Sequence, residues 1–337
     1  MTRECTYAVA PNIAFIKYWG ATDLDSALPR NASISMTMSE CASTTSVRCL
    51  EPGQPDEIWL AGIDGLVAAE GAFRDRALAH VERLREYAGV DHGLAVATRN
   101  NFPAAAGIAS SASGFAALTV ATLGALDKEV PAAELSVLAR RSGSGSASRS
   151  VMGGYVQWPD GEDAEGPAVQ LAAADHWDLR DVVVLVQQDE KKVSSLDGHR
   201  RAPSSPHFER RQELLPDRLA AVRSAIDSRD LAILGPVIEE DAIELHLIAM
   251  SSRPPIFYWL PASLTVLAAV RRLRDRGVEA WATLDAGANV HVICAPAAEE
   301  AVVAEMENLD GVHGVLRDRV GSGPKRLDRS LFAVTSS

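Results

Sequence analysis

The stretch Pro103-Ala104-Ala105-Ala106-Gly107-Ile108-Ala109-Ser110-Ser111-Ala112-Ser113-Gly114 decides how this chain is read. Asn100-Asn101 precede it, and an alanine-rich apolar helix is predicted from Phe115 to Leu126. A small-residue loop that opens a helix presents unpaired backbone N–H groups and the positive end of the helix dipole. Those features suit a bound phosphate, and the hydroxyls of Ser110 and Ser111 add hydrogen bonds or a magnesium ligand. The competing reading is close packing alone, which alanine- and serine-rich helix starts also serve. The stretch is not a Walker loop, because no Gly-Lys-Ser or Gly-Lys-Thr follows.

Around it lie 337 residues, 47% hydrophobic and 23% charged, a globular composition with room for two domains. The net charge of −12 argues against a nucleic-acid surface, though not against a local basic pocket for a small anion. Cys5, Cys41, Cys49 and Cys294 show neither metal spacing nor a disulfide framework. The start, MTRECTYAVAPN, has no apolar signal core, and no run approaches the length of a membrane span. The expectation is a soluble cytoplasmic protein.

Residues 5–18 and 30–50 read as strands, with alternation through Ser33-Ile34-Ser35-Met36-Thr37-Met38. Phe73, Ala77, Leu78, Val81 and Leu84 fall at helical spacing, which places their charged neighbours on a solvated face. A helix near 131–141, a strand at 153–158 and an apolar strand at 182–186 follow. Residues 194–216, rich in Ser, Pro, Arg and His, read as a mobile connection or lid. Helices are predicted at 216–227, 230–247 and 260–276, then a strand at 279–284. A tight Asp-Ala-Gly-Ala-Asn loop, a strand at 290–295, a helix at 297–307 and a strand at 312–317 complete a split α+β half. The division falls near 185–195, giving domains 1–188 and 189–337.

Three further segments carry chemistry. Lys17 stands inside the apolar run Asn12-Ile13-Ala14-Phe15-Ile16-Lys17-Tyr18-Trp19-Gly20, and burying it demands a partner. An edge-strand lysine facing water is the alternative. In Arg140-Arg141-Ser142-Gly143-Ser144-Gly145-Ser146-Ala147-Ser148-Arg149-Ser150, small residues allow close backbone approach and Arg149 offers a planar fork for a carboxylate or phosphate. Asp285-Ala286-Gly287-Ala288-Asn289 is a turn on residue statistics, and a functional reading needs a partner such as Lys17 or Arg149. A fourth segment, Lys191-Lys192-Val193-Ser194-Ser195, follows a buried strand whose end suits a ligand crevice, although solubilising charge explains at least one lysine equally well. No zinc-type histidine cluster and no Gly-x-Ser-x-Gly elbow is present.

In this order and spacing, Pro11–Gly20 (PNIAFIKYWG), Asn101–Gly114 (NFPAAAGIASSASG), Ala139–Ser150 (ARRSGSGSASRS), KKVSS at 191–195 and LDAGANV at 284–290 resemble the mevalonate diphosphate decarboxylases of the GHMP kinase superfamily. The segment 229–259, ending in Pro254-Pro255-Ile256-Phe257-Tyr258-Trp259, is similar too. The resemblance implies an α+β fold with a ribosomal-S5-domain-2-like amino-terminal domain, a ferredoxin-like carboxyl-terminal domain and a cleft site between them. It implies ATP and Mg2+ as co-reactants, a phosphorylated mevalonate as substrate, and a homodimer. Asp285, Arg149 and Lys17 match the catalytic positions. Asn12, Tyr18, Ser144, Gly145, Ser146, Arg149 and Ser195 match substrate contacts. Asn101, Pro103, Ala106, Gly107, Ala109, Ser110 and Ser111 match the nucleotide loop, with Ser111 the magnesium ligand.

Two departures bear on the substrate. Where diphosphate-using members usually carry a second lysine after KYWG, this chain has Ala21. Where they often carry an arginine after the paired serines, it has Leu196. Losing two charge-assisted contacts predicts a monophosphate substrate, 5-phosphomevalonate giving isopentenyl phosphate. Arg30, Arg200 or Arg201 could compensate, which keeps the diphosphate reading as the alternative. A mevalonate 3-kinase that stops before decarboxylation is the other rival.

Overall fold

A computed structural model describes residues 3–24, 26–103, 110–159, 163–187 and 193–334. The amino-terminal portion contains β1 (Glu4–Val9), β2 (Asn12–Ile16), β3 (Ala21–Asp23), β4 (Leu28–Pro29), β5 (Ser33–Thr37), β6 (Ser43–Pro52), β7 (Glu57–Gly62) and β8 (Gly65–Ala68). It continues through α1 (Gly71–Ala88), β9 (His92–Asn100), α2 (Ser110–Ala125), α3 (Ala132–Arg140), α4 (Ala147–Ser150), β10 (Tyr155–Trp158) and β11 (Val169–Ala172). Then come β12 (Arg180–Leu185), α5 (Ser195–Arg201), α6 (Phe208–Ser228), α7 (Leu231–Ser251) and α8 (Pro261–Asp275). The chain ends with β13 (Ala280–Thr283), β14 (Val290–Cys294), α9 (Glu299–Met306), β15 (Gly314–Arg319) and β16 (Lys325–Leu327).

Among the described residues, three larger sheets and the two-stranded β3-β4 pair organise these elements. The first has the order β16-β1-β6-β9-β7-β8, and α2 lies across it. Helix α2 is apolar all round and buries twelve of its sixteen residues, as a helix sandwiched between layers must. Val47, Leu94, Val96, Val81, Phe115 and Ala121 belong to the core it closes. The second sheet, β11-β10-β5-β2, packs Ile13, Phe15, Ile34 and Met36 against Leu215, Leu219, Leu234 and Ile238 of α6 and α7. The third, β13-β14-β12-β15, is antiparallel throughout and packs α8 and α9 through Val266, Val270, Val302 and Met306.

Two departures from the sequence reading follow from strand pairing. Strand β12, which a break at 188 assigns to the amino-terminal domain, pairs with β14 and β15 in the third sheet. A continuous apolar run signals a strand buried on both faces and says nothing of which sheet holds it. After β15 the chain crosses back, and β16 pairs with β1. The halves are further tied by Asp318, whose carboxylate accepts the N–H groups of Ser39, Glu40 and Cys41.

Residues 194–216 are helical rather than a loose connection. Ser194 caps α5 by accepting the Asp197 N–H at 3.1 Å, and Ala202 and Phe208 join a core with Trp19, Ile248 and Tyr258. Gly198 sits so close to the indole that a Cβ would stand 2.2 Å from Trp19 Cη2. Helix α6 begins eight residues before the predicted start at 216 and runs through Pro216, because Phe208 and the buried Arg211 anchor its first turns. Phe73, predicted on the inner face of α1, is 40% exposed.

Candidate active site

A cavity of about 410 Å³ opens between the halves, and residues of all four further segments meet in it with Ser110 and Ser111 of the opening stretch. Lys17 follows the end of β2 and is 2% exposed. Its ammonium donates to Ala14 O at 2.6 Å and to Asp285 Oδ1 at 2.8 Å. Asp285 begins the β13–β14 turn, which its carbonyl tightens by accepting the Gly287 N–H at 2.7 Å. Burial pushes the Asp285 carboxyl up, but the Lys17 charge and hydrogen bond, with His291 and Arg149, outweigh it and hold the group below its ordinary value. Asp285 is therefore an anion throughout the neutral range.

Arg149, on α4, is fully enclosed. Its Nε donates to Ser35 Oγ at 2.8 Å and Asn12 Oδ1 at 3.2 Å, Nη2 donates to Asn12 Oδ1 at 3.1 Å, and Nη1 donates to Ser33 Oγ. A guanidinium has five N–H groups, and these bonds to described residues engage three of them, leaving one on each terminal nitrogen to serve a ligand in the cavity that Arg149 lines. Burial pulls its pKa down to about 10, against the opposing charges of Asp285 and Tyr18, and it stays cationic at neutral pH. Its protein partners are neutral oxygens, and a carboxylate ligand would be its closest counter-charge.

Asn12 does not line the cavity. Its amide donates to Ser146 O and Ser150 Oγ and its carbonyl holds Arg149, so it acts behind the arginine instead of on a ligand. Tyr18, Ser144, Gly145, Ser146, Ser195, Ser110 and Ser111 all line the space. Ser111 Oγ lies 3.4 Å from Ser144 Oγ, joining the start of α2 to the Gly/Ser segment. Asn101 faces elsewhere: its carbonyl accepts the Ala42 N–H and its amide donates to Glu40 O, so it closes a turn between β5 and β6. Pro103 is not on the cavity wall. Ala106, Gly107, Ala109, Lys191 and Lys192 lie outside the described residues.

Sequence reasoning missed four contributors. His199 lines the cavity, accepts the Gly20 N–H on Nδ1 at 3.1 Å and stacks on Tyr18 with ring centroids 4.1 Å apart. It fell within the segment read as a lid. Arg76 reaches the cavity from α1, with its guanidinium 4.6 Å from the Phe115 ring centroid, although its helix spacing reads as solvated. Ser33 and Ser35 hold Arg149. Their signal was available, because the polar positions of β5 carry small hydroxyls in place of charges, and that strand is buried on both faces.

Gly145 marks the tightest wall. A Cβ there would stand 2.7 Å from Trp158 Cζ3 and 2.9 Å from Tyr18 Cε1. Gly145→Ala is expected to push the Tyr18 ring, costing about 1–3 kcal/mol of stability. Denaturant melts and substrate titration check this, through a lower midpoint and a raised KM.

Fold and cavity together define an enzyme of the GHMP kinase type. A family model for a diphosphomevalonate decarboxylase-like N-terminal domain matches residues 9–169, and one for a mevalonate 5-diphosphate decarboxylase C-terminal domain matches 182–327. The chain belongs to the diphosphomevalonate decarboxylase family, whose members are ATP-dependent decarboxylases. It is 32% identical to the diphosphomevalonate decarboxylase of Candida albicans, over 95% of this chain and 97% of that one. The mevalonate diphosphate decarboxylase structure from Staphylococcus aureus superposes with a TM-score of 0.89 at 31% identity, covering 97% of this chain and 99% of that one. A relative solved in complex with MVAPP, AMPPCP and magnesium superposes with a TM-score of 0.88 at 32% identity, covering 98% of this chain and all of that one.

Proposed function

We propose that this enzyme converts mevalonate 5-diphosphate and ATP to isopentenyl diphosphate, ADP, phosphate and carbon dioxide. The observation that carries the reading is the Lys17–Asp285 pair sharing one cavity with Arg149. A tertiary alcohol is a weak nucleophile, and a fixed carboxylate beside it orients the hydroxyl and takes its proton as oxygen bonds to the γ-phosphorus. Two of the three Lys17 ammonium N–H groups go to a carbonyl and to that carboxylate, which makes Lys17 a donor and leaves Asp285 as the base. The new phosphate then leaves with the C–O electron pair. The electrons of the C–C bond to the carboxylate form the alkene, and carbon dioxide departs. Asp285 passes the proton it took to an oxygen of the departing phosphate, so that positive charge growing on the tertiary carbon faces the Asp285 anion. Arg149 holds the carboxylate so that its bond is aligned for fragmentation.

ATP and Mg2+ are the co-reactants. Among the described residues no group of three His, Cys, Asp or Glu side chains forms a metal cage. That suits magnesium, which keeps waters and phosphate oxygens and takes one or two protein oxygens; Ser111 is the protein ligand in this reading. Magnesium supplies charge neutralisation on the phosphates.

The monophosphate expectation from Ala21 and Leu196 finds no support: the matching relatives are diphosphate enzymes over nearly their whole length. His199 accepts the N–H of Gly20 next to Ala21, and Arg76 adds a cation to the cavity wall. Steady-state comparison with ATP is expected to give a kcat/KM at least about tenfold higher for the diphosphate, the worth of one charge-assisted contact. Equal or reversed values would restore the monophosphate reading. ADP release without stoichiometric carbon dioxide would make the enzyme a 3-kinase. The reading also includes a cytoplasmic homodimer. Its four cysteines are buried free thiols, which suits a reducing compartment, and sedimentation checks the assembly.

A further inference from the structure

Lys17 lies just past β2, where the ladder to β5 has already slipped between Ala14 and Ile16. Its main-chain groups are buried and need partners other than the sheet. The Lys17 N–H donates to Asp241 Oδ2 at 2.8 Å. The Lys17 carbonyl accepts from Arg211 Nη2 at 2.9 Å and from Asn31 Nδ2 at 2.9 Å. Arg211 and Asp241 are themselves paired at 2.9 Å, both with 0% side-chain exposure. One ion pair from α6 and α7 therefore clasps the main chain of a residue whose ammonium meets Asp285. Five residues further along α7 stands His246, also buried.

We propose that Asp241 of α7 and Arg211 of α6 set the spacing of the Lys17–Asp285 pair by holding the main chain of Lys17. These are positioning residues, and their assignment rests on the proton-handling role given above to Lys17 and Asp285. A buried ion pair is a poor stability device, since apolar residues of similar volume commonly serve as well. A carboxylate and a guanidinium that reach both the N–H and the C=O of one residue do what apolar residues cannot, which is to fix the direction of a main chain. Arg218 and Glu244 extend the network around Asp241 without touching Lys17.

The consequence reaches the chemistry through distance. A contact at 2.8 Å weakens steeply if the ammonium moves by an ångström. The titratable and charged groups facing Asp285 are Lys17, Arg149, His291 and His246. His246 is held neutral by burial, its pKa pulled down to about 3, and Arg149 and His291 are anchored by their own partners. Loosening Lys17 therefore leaves burial as the dominant influence on Asp285, and its carboxyl rises.

The test is the double variant Asp241→Leu with Arg211→Met, which removes both charges but not the volume. It is expected to fold and to bind AMPPCP within about twofold of wild type, while kcat falls about tenfold to a hundredfold. The acid limb of the kcat profile is expected to move to higher pH. Wild-type kcat with an unmoved acid limb in the folded double variant would overturn the proposal. If that variant does not fold, Arg211 carries the test: Arg211→Met is expected to lose turnover, and the conservative Arg211→Lys, which keeps a donor for the Lys17 carbonyl, to rescue it. Equal kcat for those two variants overturns the proposal. Asp285→Asn serves as the control, because wild-type turnover there removes the role of the pair itself and so separates the two failures.

Discussion

Asp285→Asn is expected to lower kcat by about a thousandfold or more while AMPPCP binds within about twofold of wild type. The magnitude combines the loss of a general base with the loss of an anion facing developing positive charge, each of which alone is commonly worth two orders of magnitude or more. Asparagine retains an oxygen for the Lys17 ammonium, so the 2.8 Å contact survives in altered form and the fold should persist. The Lys17 charge then lacks its counter-ion. With the Asp285 side chain 25% exposed to the cavity, the cost is expected at about 1–3 kcal/mol, below that of a fully buried pair. The pH dependence has a definite sign. Asp285 titrates lower in the fold than in the unfolded chain, so its stabilisation is complete above the ordinary carboxylate pKa and disappears as pH falls through the depressed folded value. The acid limb of wild-type kcat should be flat from neutrality down to the ordinary carboxylate range, whereas stability should fall below a pH of about 6.5, where His80 and His246 take up protons in the unfolded chain that they refuse when buried. Single-turnover assays and thermal melts across pH check both, and a variant with near-wild-type kcat would remove Asp285 from the mechanism.

How much of this site was legible before the fold was seen depended on whether a residue contradicted its surroundings. Lys17 did, as a cation after the apolar run Ile13–Ile16: desolvation cost required a partner if it was buried, and the fold decides for burial against Asp285 over an edge position facing water. Arg149 did, as a fork among serines and glycines. Asp285 looked like an ordinary turn former and gained meaning only from the other two. Asn12 also broke its strand pattern, yet its side chain turned out to brace Arg149, because polarity in a strand reports that a partner exists and not which one. Asn101 shows the same limit at a turn, where its two amide bonds go to Ala42 and Glu40.

The fold was legible where periodicity is strong and obscure where pairing decides. Helix α1, predicted from the spacing of Ala77, Val81 and Leu84, spans Gly71–Ala88. Strands β7 and β8 escaped notice: their hairpin is exposed, and Ile63 at its tip and Val67 beside it leave no clean alternation. Strand β16 carries Lys325 and Arg326, which read as surface charge, and only its pairing with β1 makes it a strand. His199 and the ordered segment after Ser194 were hidden by composition. Ser, Pro and Arg suggested a loose connection, whereas the close approach at Gly198 and the burial of Arg211 on Asp241 order it. Both devices need residues far away in sequence, which no local pattern carries.

Arg149→Met separates catalysis from stability more sharply than any other change at this site. The wild-type side chain is buried among neutral oxygens, and the fall of its pKa from 12.5 to about 10 means that folding disfavours its charge. Below pH of about 10 that penalty is fully present, on the order of 3 kcal/mol, and it is relieved only as the pH rises from there towards 12.5. Methionine removes the penalty and fills most of the space. It also leaves Asn12, Ser33 and Ser35 without their donor, at about 1–3 kcal/mol for a buried acceptor, less for hydroxyls that can turn to water. The two effects nearly cancel, so the melting temperature is expected to stay within about 5 °C of wild type. Turnover is not buffered in that way. Without the two N–H groups left for a ligand the substrate carboxylate is neither held nor aligned, and kcat is expected to fall by about a hundredfold or more, with the ATP KM little changed. Arg149→Lys should fail almost as badly, since a single ammonium cannot present two parallel donors while also reaching Asn12, Ser33 and Ser35. A lysine variant with wild-type turnover would show that charge alone suffices at this position, and the fork geometry would then carry no catalytic weight.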